Sequence, residues 1–443
     1  MTYDFTEGNI TRKLLLFSVP LIIGNMLQQL YNIADTAIVG RYLGEQALAA
    51  VGTAYSLMTF LTSVFIGLCM GSGAYFSMLY GKRDMERLKT SVFVAFVTIG
   101  VLTLAVNIFV FLTMNPIMRF LRIPENVWQD FKAYISVILL GMMAVFLYNF
   151  FTNLLRALGN SVVPLIFLGI SSVLNVALDI CFILVLKQGV AGAAVATVIS
   201  QYFSAVGMVL YYLKYCHALR PGRKQMHFDR DILREISSLS VLTCAQQSLM
   251  NFGILMVQGL VNSFGTTVMA AFTTAVKIDA FAYAPVQDFG NAFSTFVAQN
   301  HGAEKKERIG RGIRSAGTLA VVFCACISVV VFAGAPKLME LFISPDETEV
   351  IRIGVEYLRI EGACYVGIGI LFLLYGLYRG INRPAISVVL TVISLGTRVV
   401  LAYVLAAVPF IGVTGIWLAI PIGWLLADVT GIVYWFLQKE KKG

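Results

Sequence analysis

Long, nearly uncharged apolar stretches recur along the whole chain and limit its possible folds more than any other feature. About 20 apolar residues are enough for a helix to cross a bilayer. Only 13% of the 443 residues are charged and 58% are hydrophobic, whereas a soluble domain has about 25% charged residues. We therefore predict an all-α polytopic membrane protein with twelve transmembrane helices. The runs lie at 14–39, 50–79, 91–114, 132–155, 162–186, 190–213, 237–262, 268–299, 313–334, 354–378, 385–407 and 413–437.

Basic residues are unevenly distributed between alternate loops. By our count roughly 23 of the 33 Lys and Arg residues lie in loops on the side of the N-terminus, and about 8 lie on the other side. Because cytoplasmic loops are enriched in Lys and Arg, both termini are expected in the cytoplasm. The net charge of +9 is then loop charge, and no nucleic-acid partner is expected.

The second half of the chain repeats the first. Each half contains six runs, an even number, so the halves have the same orientation and form two parallel-repeat six-helix lobes. We predict an N-terminal lobe at 1–215, a cytoplasmic linker at 216–235 and a C-terminal lobe at 236–443. A shift of 221 residues, which becomes 223 past the middle of each half, aligns Gly44 with Gly265, Gly81 with Gly302, Arg156 with Arg379 and Gly189 with Gly412.

Two acidic residues of the first half lie inside predicted spans, Asp35 in the first and Asp179 in the fifth. An ionisable side chain in hydrocarbon costs about 2.5–3.5 kcal/mol on insertion scales, so such residues mark functional sites. Asn175 lies one helical turn before Asp179, and Thr197 of the sixth span has a similar depth at about 1.5 Å per residue. These oxygens predict a Na⁺ site or a proton site. For Asn175 and Thr197 the alternative is a hydrogen bond to a neighbouring helix.

The second half lacks this set of oxygen-bearing residues. The repeat aligns Asp35 with Met256, Asp179 with Ala402 and Asn175 with Arg398. We therefore expect any coupling to a cation in the N-terminal lobe.

The second half has its own intramembrane charges, and their role is open. They either neutralise one another or contact a substrate, and the sequence does not decide between these alternatives. Gln28 in the first span is a further candidate for substrate contact. The charged residues are Lys277, Asp279 and Asp288 in span 8, Glu361 in span 10, Arg398 in span 11 and Asp428 in span 12.

Motifs for ATP use and for hydrolysis are absent from the sequence. The chain has no G-x-x-x-x-G-K-[ST] loop and no H-E-x-x-H or G-x-S-x-G motif, and it contains only three His residues. We therefore expect no enzyme activity and no cofactor.

Several motifs together resemble those of the MATE (multidrug and toxic compound extrusion) transporters of bacteria. The resemblance extends over essentially the whole chain. The matching segments are the run from Gln28 to Asp35 with Val39-Gly40, the segment from Arg156 to Asn160, the segment from Gly189 to Ala194, and Gln299-Asn300-His301-Gly302-Ala303.

This resemblance implies a secondary antiporter of the bacterial inner membrane that exports amphipathic organic cations in exchange for Na⁺ or H⁺. It implies a cation site at Asp35, Asn175, Asp179 and Thr197, the set already reached from depth, with Asn149 or Asn153 of span 4 as possible additions. The proline bend of span 1 described for some members would fall at Pro20. Another branch of the family has acidic residues in spans 7 and 10, but span 7 here has none. We expect a monomer in the lipid bilayer.

Two other functions remain as alternatives. A lipid-linked oligosaccharide or lipid flippase of the same superfamily would need a cationic cavity for phosphate. Lys277 and Arg398 are basic residues inside predicted spans, so this alternative remains. A membrane-embedded enzyme is the second alternative, and the missing catalytic motifs disfavour it.

Overall fold

The apolar runs form long helices in the computed structural model, which describes residues 3–120, 123 and 125–440. Within these residues all regular structure is helical. A short helix at Met114–Phe120 precedes α4, and the last turns of the fifth span, Ile180–Val185, are π-helical. The long helices are α1 Ile10–Gly44, α2 Ala50–Lys82, α3 Met85–Leu112, α4 Trp128–Ala157, α5 Val162–Asp179, α6 Gly189–Tyr215, α7 Arg230–Asn262, α8 Thr266–Gly302, α9 Lys306–Glu340, α10 Thr348–Ala363 continued by Tyr365–Gly380, α11 Pro384–Ala406 and α12 Val413–Glu440.

The predicted twelve-helix membrane fold is confirmed. In the described part of the chain, nine helices are long and apolar enough to cross a membrane, and the number rises to eleven if each of two bent helices is one span. These two are α4, bent by 42°, and α10, bent by 53°. The remaining helix is α8, whose 37 residues reach about 55 Å. Its sequence is less apolar because it contains Lys277, Asp279 and Asp288.

The internal repeat is visible in the backbone. The turn between α1 and α2 has Gly44 at φ 86°, and the turn between α7 and α8 has Gly265 at φ 100°. Left-handed conformations favour glycine because it has no Cβ. Three further pairs of residues with positive φ are separated by the same shifts of 221 or 223, namely Arg83 with Glu304, Gly159 with Asn382, and Gly189 with Gly412.

The chain folds into two compact units. Unit 1 contains residues 3–4 and 19–244, and unit 2 contains residues 5–18 and 245–440. The chain therefore changes units inside α1 and again inside α7. The division predicted from the sequence, at 1–215, 216–235 and 236–443, stays a prediction, and its terminal residues 1–2 and 441–443 lie outside the described residues.

Each unit has an aromatic core and close helix contacts at small residues. In unit 2 the ring of Phe272 stacks on Trp417 with centroids 5.4 Å apart, and the ring of Tyr357 meets both edge-on. In the same unit α8 and α10 touch at Gly376, where a Cβ would overlap the carbonyl oxygen of Gly290. Small residues allow such backbone approach between membrane helices.

Candidate functional site

Unit 1 brings the two predicted carboxylates together. Asp35 lies on α1 and Asp179 ends α5, and their carboxyl groups are within hydrogen-bonding reach of each other. Asp179 is fully buried, whereas Asp35 is half-buried. Two adjacent carboxylates repel each other unless a proton or another cation lies between them.

Asn175 and Thr197 extend this pair. Asn175 lies one turn before Asp179, and its Nδ2 donates a hydrogen bond of 3.4 Å to Oγ1 of Thr197 on α6. The Thr197 hydroxyl in turn donates to the carbonyl oxygen of Ala193 at 3.1 Å. The amide group of Asn175 is thereby oriented with its nitrogen toward α6, and its carbonyl oxygen is left for another partner.

Four buried oxygen atoms of this group have no hydrogen-bond donor among the described residues. They are Oδ1 of Asp35, Oδ1 of Asn175 and both carboxylate oxygens of Asp179. A buried polar atom without a partner costs about 1–3 kcal/mol. Hard cations such as Na⁺ bind carboxylate and amide oxygens, and a proton shared by the carboxylates would also supply a donor. The residues thus fit either ion.

Two tyrosines that are not among the predicted site residues also lie near the carboxylates. Tyr31 of α1 and Tyr134 of α4 lie within electrostatic range of both Asp35 and Asp179. Tyr31 precedes Asp35 by one helical turn and could have been found from that spacing. Tyr134 has no comparable signal in the sequence.

The backbone is irregular directly after Asp179. Residues Ile180–Val185 form a π-helical turn, a feature that often occurs at functional sites. The aligned end of α11 remains α-helical to Ala406. The irregular turn therefore accompanies the acidic residue and is missing where the repeat has Ala402.

The two asparagines of α4 bond to their own helix. The side-chain nitrogen of Asn149 donates to the carbonyl oxygen of Val145 at 2.8 Å, and that of Asn153 donates to the carbonyl oxygen of Asn149 at 2.9 Å. Within the described part of the chain no hydrogen bond joins either residue to Asp35 or Asp179. Their membership of a cation site stays a prediction.

The two other candidates on α1 lie nearer its N-terminal end. Gln28 is exposed and Pro20 is half-buried. Pro20 is two residues beyond Ser18, the last residue of this segment that belongs to unit 2. A proline inside a helix removes a backbone hydrogen bond and permits a bend. The hinge at Pro20 stays a prediction.

Unit 2 contains a separate buried cluster around Asp279. The Asp279 carboxylate accepts a hydrogen bond of 2.6 Å from the hydroxyl of Tyr365 and one of 3.5 Å from that of Tyr357. Glu361 lies one turn after Tyr357, and its carboxyl group is within hydrogen-bonding reach of Asp279. The cluster therefore holds two buried carboxyl groups that tyrosine hydroxyls partly satisfy.

Arg398 lies near these carboxylates but forms no direct ion pair with a described residue. Its charge acts on both Asp279 and Glu361. Its Nε, and Oε1 of Glu361, have no hydrogen-bond partner in the part of the chain that the structure describes. Mutual neutralisation and substrate contact both stay predictions for these residues.

The remaining charged residues of unit 2 differ in their burial. Lys277 is exposed, and no ion pair joins it to a described carboxylate. Asp288 is half-buried on α8. Asp428 is buried on α12 and faces Gly367 at the beginning of the second segment of α10. The structure therefore separates Lys277 from the cluster of Asp279 and Glu361.

Comparison with known proteins assigns the chain to a family. The MatE family model matches residues 20–181 and 241–404. The chain is 30% identical over 98% of its length to a probable multidrug resistance protein, YpnP, of Bacillus subtilis, and covers 96% of that protein. It is 25% identical over 95% of its length to the probable multidrug resistance protein NorM of Thermotoga maritima, of which it covers 90%.

Solved structures support the same assignment at the level of the fold. A multidrug resistance MATE family transporter in an outward-facing conformation superimposes with a TM-score of 0.92 at 22% identity, over 99% of this chain and 98% of that one. The resemblance noted in the sequence is thus confirmed. With twelve membrane helices and a family match in each half, the chain belongs to the MATE family of membrane transporters, which are not enzymes.

Proposed function

We propose that this protein is a secondary antiporter that exports organic cations in exchange for Na⁺ or H⁺, with the coupling ion bound in unit 1. The observation that most supports the proposal is the group of four buried oxygens on Asp35, Asn175 and Asp179 that lack a donor. An ion bound there would satisfy these atoms and separate the two carboxylates. Thr197 would hold the amide of Asn175 in place through its hydroxyl.

The restriction of this group to unit 1 supports one coupling site. Positions aligned by the repeat hold Met256, Ala402 and Arg398, which cannot replace the two carboxylates. Asp279 and Glu361 of unit 2 lie elsewhere in the repeat, and Asp279 already accepts hydrogen bonds from two tyrosines. We assign that cluster, with Arg398, a role as a buried charge network.

The substrate is proposed to be a small amphipathic cation. Curated relatives are named probable multidrug resistance proteins or multidrug export proteins, and these names favour drug export over the flippase alternative. The charged cluster of unit 2 agrees, because it contains two carboxyl groups and one arginine, whereas a phosphate site would need an excess of positive charge.

The proposed mechanism couples ion binding to a change of conformation. The ion enters from outside and neutralises the carboxylates, and it shifts the population toward the state in which it binds more tightly. The shift is limited by the difference in ion affinity between the two states. Pro20 is the proposed bending point of α1. The protein acts as a monomer in the bacterial plasma membrane, with both termini in the cytoplasm and without a cofactor.

Dye uptake into everted vesicles, whose lumen corresponds to the cell exterior, tests this function under separately imposed Na⁺ and pH gradients. Wild-type protein should move ethidium when one gradient is imposed, and the effective gradient identifies the ion. Asp35→Asn should abolish gradient-driven transport and leave the amount of folded protein unchanged. The matched control is Asp346→Asn, at an exposed residue between α9 and α10, which should transport normally. Full transport by Asp35→Asn would contradict the proposal.

A further inference from the structure

The segment before α1, residues 5–8, is bound by side chains of unit 2, and we call it the N-terminal strap. The backbone N–H of Phe5 donates to Oε1 of Gln299 at 2.9 Å, and Nδ2 of Asn300 donates to the carbonyl oxygen of Phe5 at 3.1 Å. Both residues are fully buried near the end of α8. Two neighbouring side chains thus bind both backbone groups of one strap residue. They are the first two residues of the motif at 299–303 that resembles the family signature.

Basic side chains beside the start of α9 complete this binding site. Lys305 donates one hydrogen bond through Nζ, and Arg308 donates three through its guanidinium group. Charge-assisted hydrogen bonds of this kind are stronger than neutral ones. The acceptors are the carbonyl oxygens of four successive strap residues, Phe5 at 2.9 Å, Thr6 at 2.9 Å, Glu7 at 2.7 Å and Gly8 at 2.8 Å.

The side chain of Phe5 joins the strap to the first turns of α1. Its ring is fully buried and meets the rings of Phe17 and Phe296 edge-on, with centroids 5.1 and 6.0 Å away. Thr11 of α1 also shares a hydrogen bond of 2.7 Å with Ser315 of α9. The beginning of α1 is therefore fixed to α8 and α9 within unit 2.

The rest of α1 belongs to unit 1 and includes Asp35 of the proposed cation site. The helix is continuous from Ile10 to Gly44, and it passes from unit 2 to unit 1 between Ser18 and Val19. One helix thus begins at a binding site in unit 2 and contains an acidic residue of unit 1. Any displacement of α1 caused by ion binding would strain the hydrogen bonds that hold the strap to unit 2.

We propose that the cradle of Gln299, Asn300, Lys305 and Arg308 binds the N-terminal strap in order to position α1, so that ion binding at Asp35 is transmitted to unit 2. These four residues position α1 for antiport and do not touch the ion. This inference rests on the proposed antiport function. Its ligand is defined by chemistry: four successive backbone carbonyl groups in a turn and bend, with a leading aromatic side chain, supplied here by the chain itself.

Arg308→Gln is the variant that tests this proposal, because Arg308 is only half-buried and its loss removes three hydrogen bonds to the strap. Arg311→Gln is the matched control. It makes the same change of charge on the same helix, three residues further on, at an exposed side chain. Arg308→Lys keeps a charged donor and should restore part of the function. Phe5→Ala instead changes the strap itself, by removing the ring that packs against Phe17 and Phe296.

Two measurements are made on each full-length variant in lipid. Hydrogen–deuterium exchange of the strap, residues 5–8, should become about tenfold faster or more in Arg308→Gln and Phe5→Ala, since undocking exposes its amides. The maximal rate of ion-driven ethidium transport should fall about tenfold, with KM for ethidium and thermal stability nearly unchanged. Arg311→Gln should match wild type in both measurements.

The outcomes separate this inference from the proposed function. Faster exchange of the strap with a wild-type rate of transport would overturn the positioning role. Wild-type protein whose strap, residues 5–8, exchanges as fast as an unfolded peptide would overturn the docking itself. If wild-type protein shows no ion-driven transport, the antiport function and the coupling role both fail, and the exchange measurement still decides whether the strap is docked.

Discussion

Replacing Asp179 by asparagine is expected to stabilise the ion-free protein and to remove its stabilisation by the coupling ion. When both carboxylates are ionised and no ion lies between them, groups within hydrogen-bonding reach repel each other by about 4 kcal/mol or more at an effective dielectric constant near 20. The substitution removes this repulsion, and the new amide group can donate to Oδ1 of Asp35, which has no donor in the described structure. The unfolding entropy of globular proteins is about 2.1 cal/mol/K per residue, or about 0.9 kcal/mol/K for this chain length. The thermal midpoint should therefore rise by about 4 °C.

The ion dependence provides the second part of this prediction. A ligand present at 100 times its Kd stabilises the folded state by about 2.7 kcal/mol, which corresponds to about 3 °C for this chain. The midpoint of the wild type should rise by that amount with added Na⁺, or with added protons if H⁺ is the coupling ion. The midpoint of Asp179→Asn should not respond to either.

Thermal unfolding in detergent, followed over separate titrations of Na⁺ and pH, measures both effects. Asp346→Asn is again the control, because it removes an exposed carboxylate and should keep the wild-type response. A variant Asp179→Asn that retains the full ion response would refute the assignment of this oxygen group as the ion site. A midpoint lowered by several degrees would refute the calculated repulsion.

Two further predictions concern unit 2. Gly376→Ala places a Cβ against a backbone carbonyl of α8 and should destabilise the protein by about 1–3 kcal/mol. Gly396→Ala, where no heavy atom lies within 4 Å of the added Cβ, should be neutral in the same thermal assay. Tyr365→Phe removes the 2.6 Å hydrogen bond to buried Asp279 and should cost about 1.5–3 kcal/mol. The control Tyr403→Phe, at an exposed tyrosine, should leave the midpoint unchanged, and equal midpoints for the two tyrosine variants would contradict the prediction.

Sequence reasoning located the helices and the carboxylate pair because both leave periodic or positional signals. Apolar runs of the length of a bilayer define spans directly. Similar depth on α1 and α5 predicted that Asp35 and Asp179 lie in one layer, since a membrane restricts helices to nearly one direction, and the structure brings their carboxyl groups within hydrogen-bonding reach. Asn175 follows from its helical spacing to Asp179. The same depth argument gave no information on which side of α8 would be buried, and Lys277 is exposed although it lies inside a predicted span.

Contacts between distant, non-periodic parts of the chain could not be predicted. Phe5 and Gln299 are 294 residues apart in sequence, and the strap that contains Phe5 has no helical or strand pattern. The hydroxyl of Tyr365 reaches Asp279 because α10 bends by 53° just before it, and no proline marks this bend. The passage of α1 and α7 from one unit to the other leaves no signal either, because both helices are apolar on each side of it.

The passage of α1 and α7 between units has a consequence for how such a chain can be divided. Residues 5–18 belong with the second half of the sequence, and residues 230–244 belong with the first. A cut in the loop before α7 therefore yields two fragments, each of which lacks the initial helical turns that complete its own unit. The two fragments should recover a native structure only when they are produced together. As in a domain-swapped protein, α1 and α7 each begin in one unit and continue in the other.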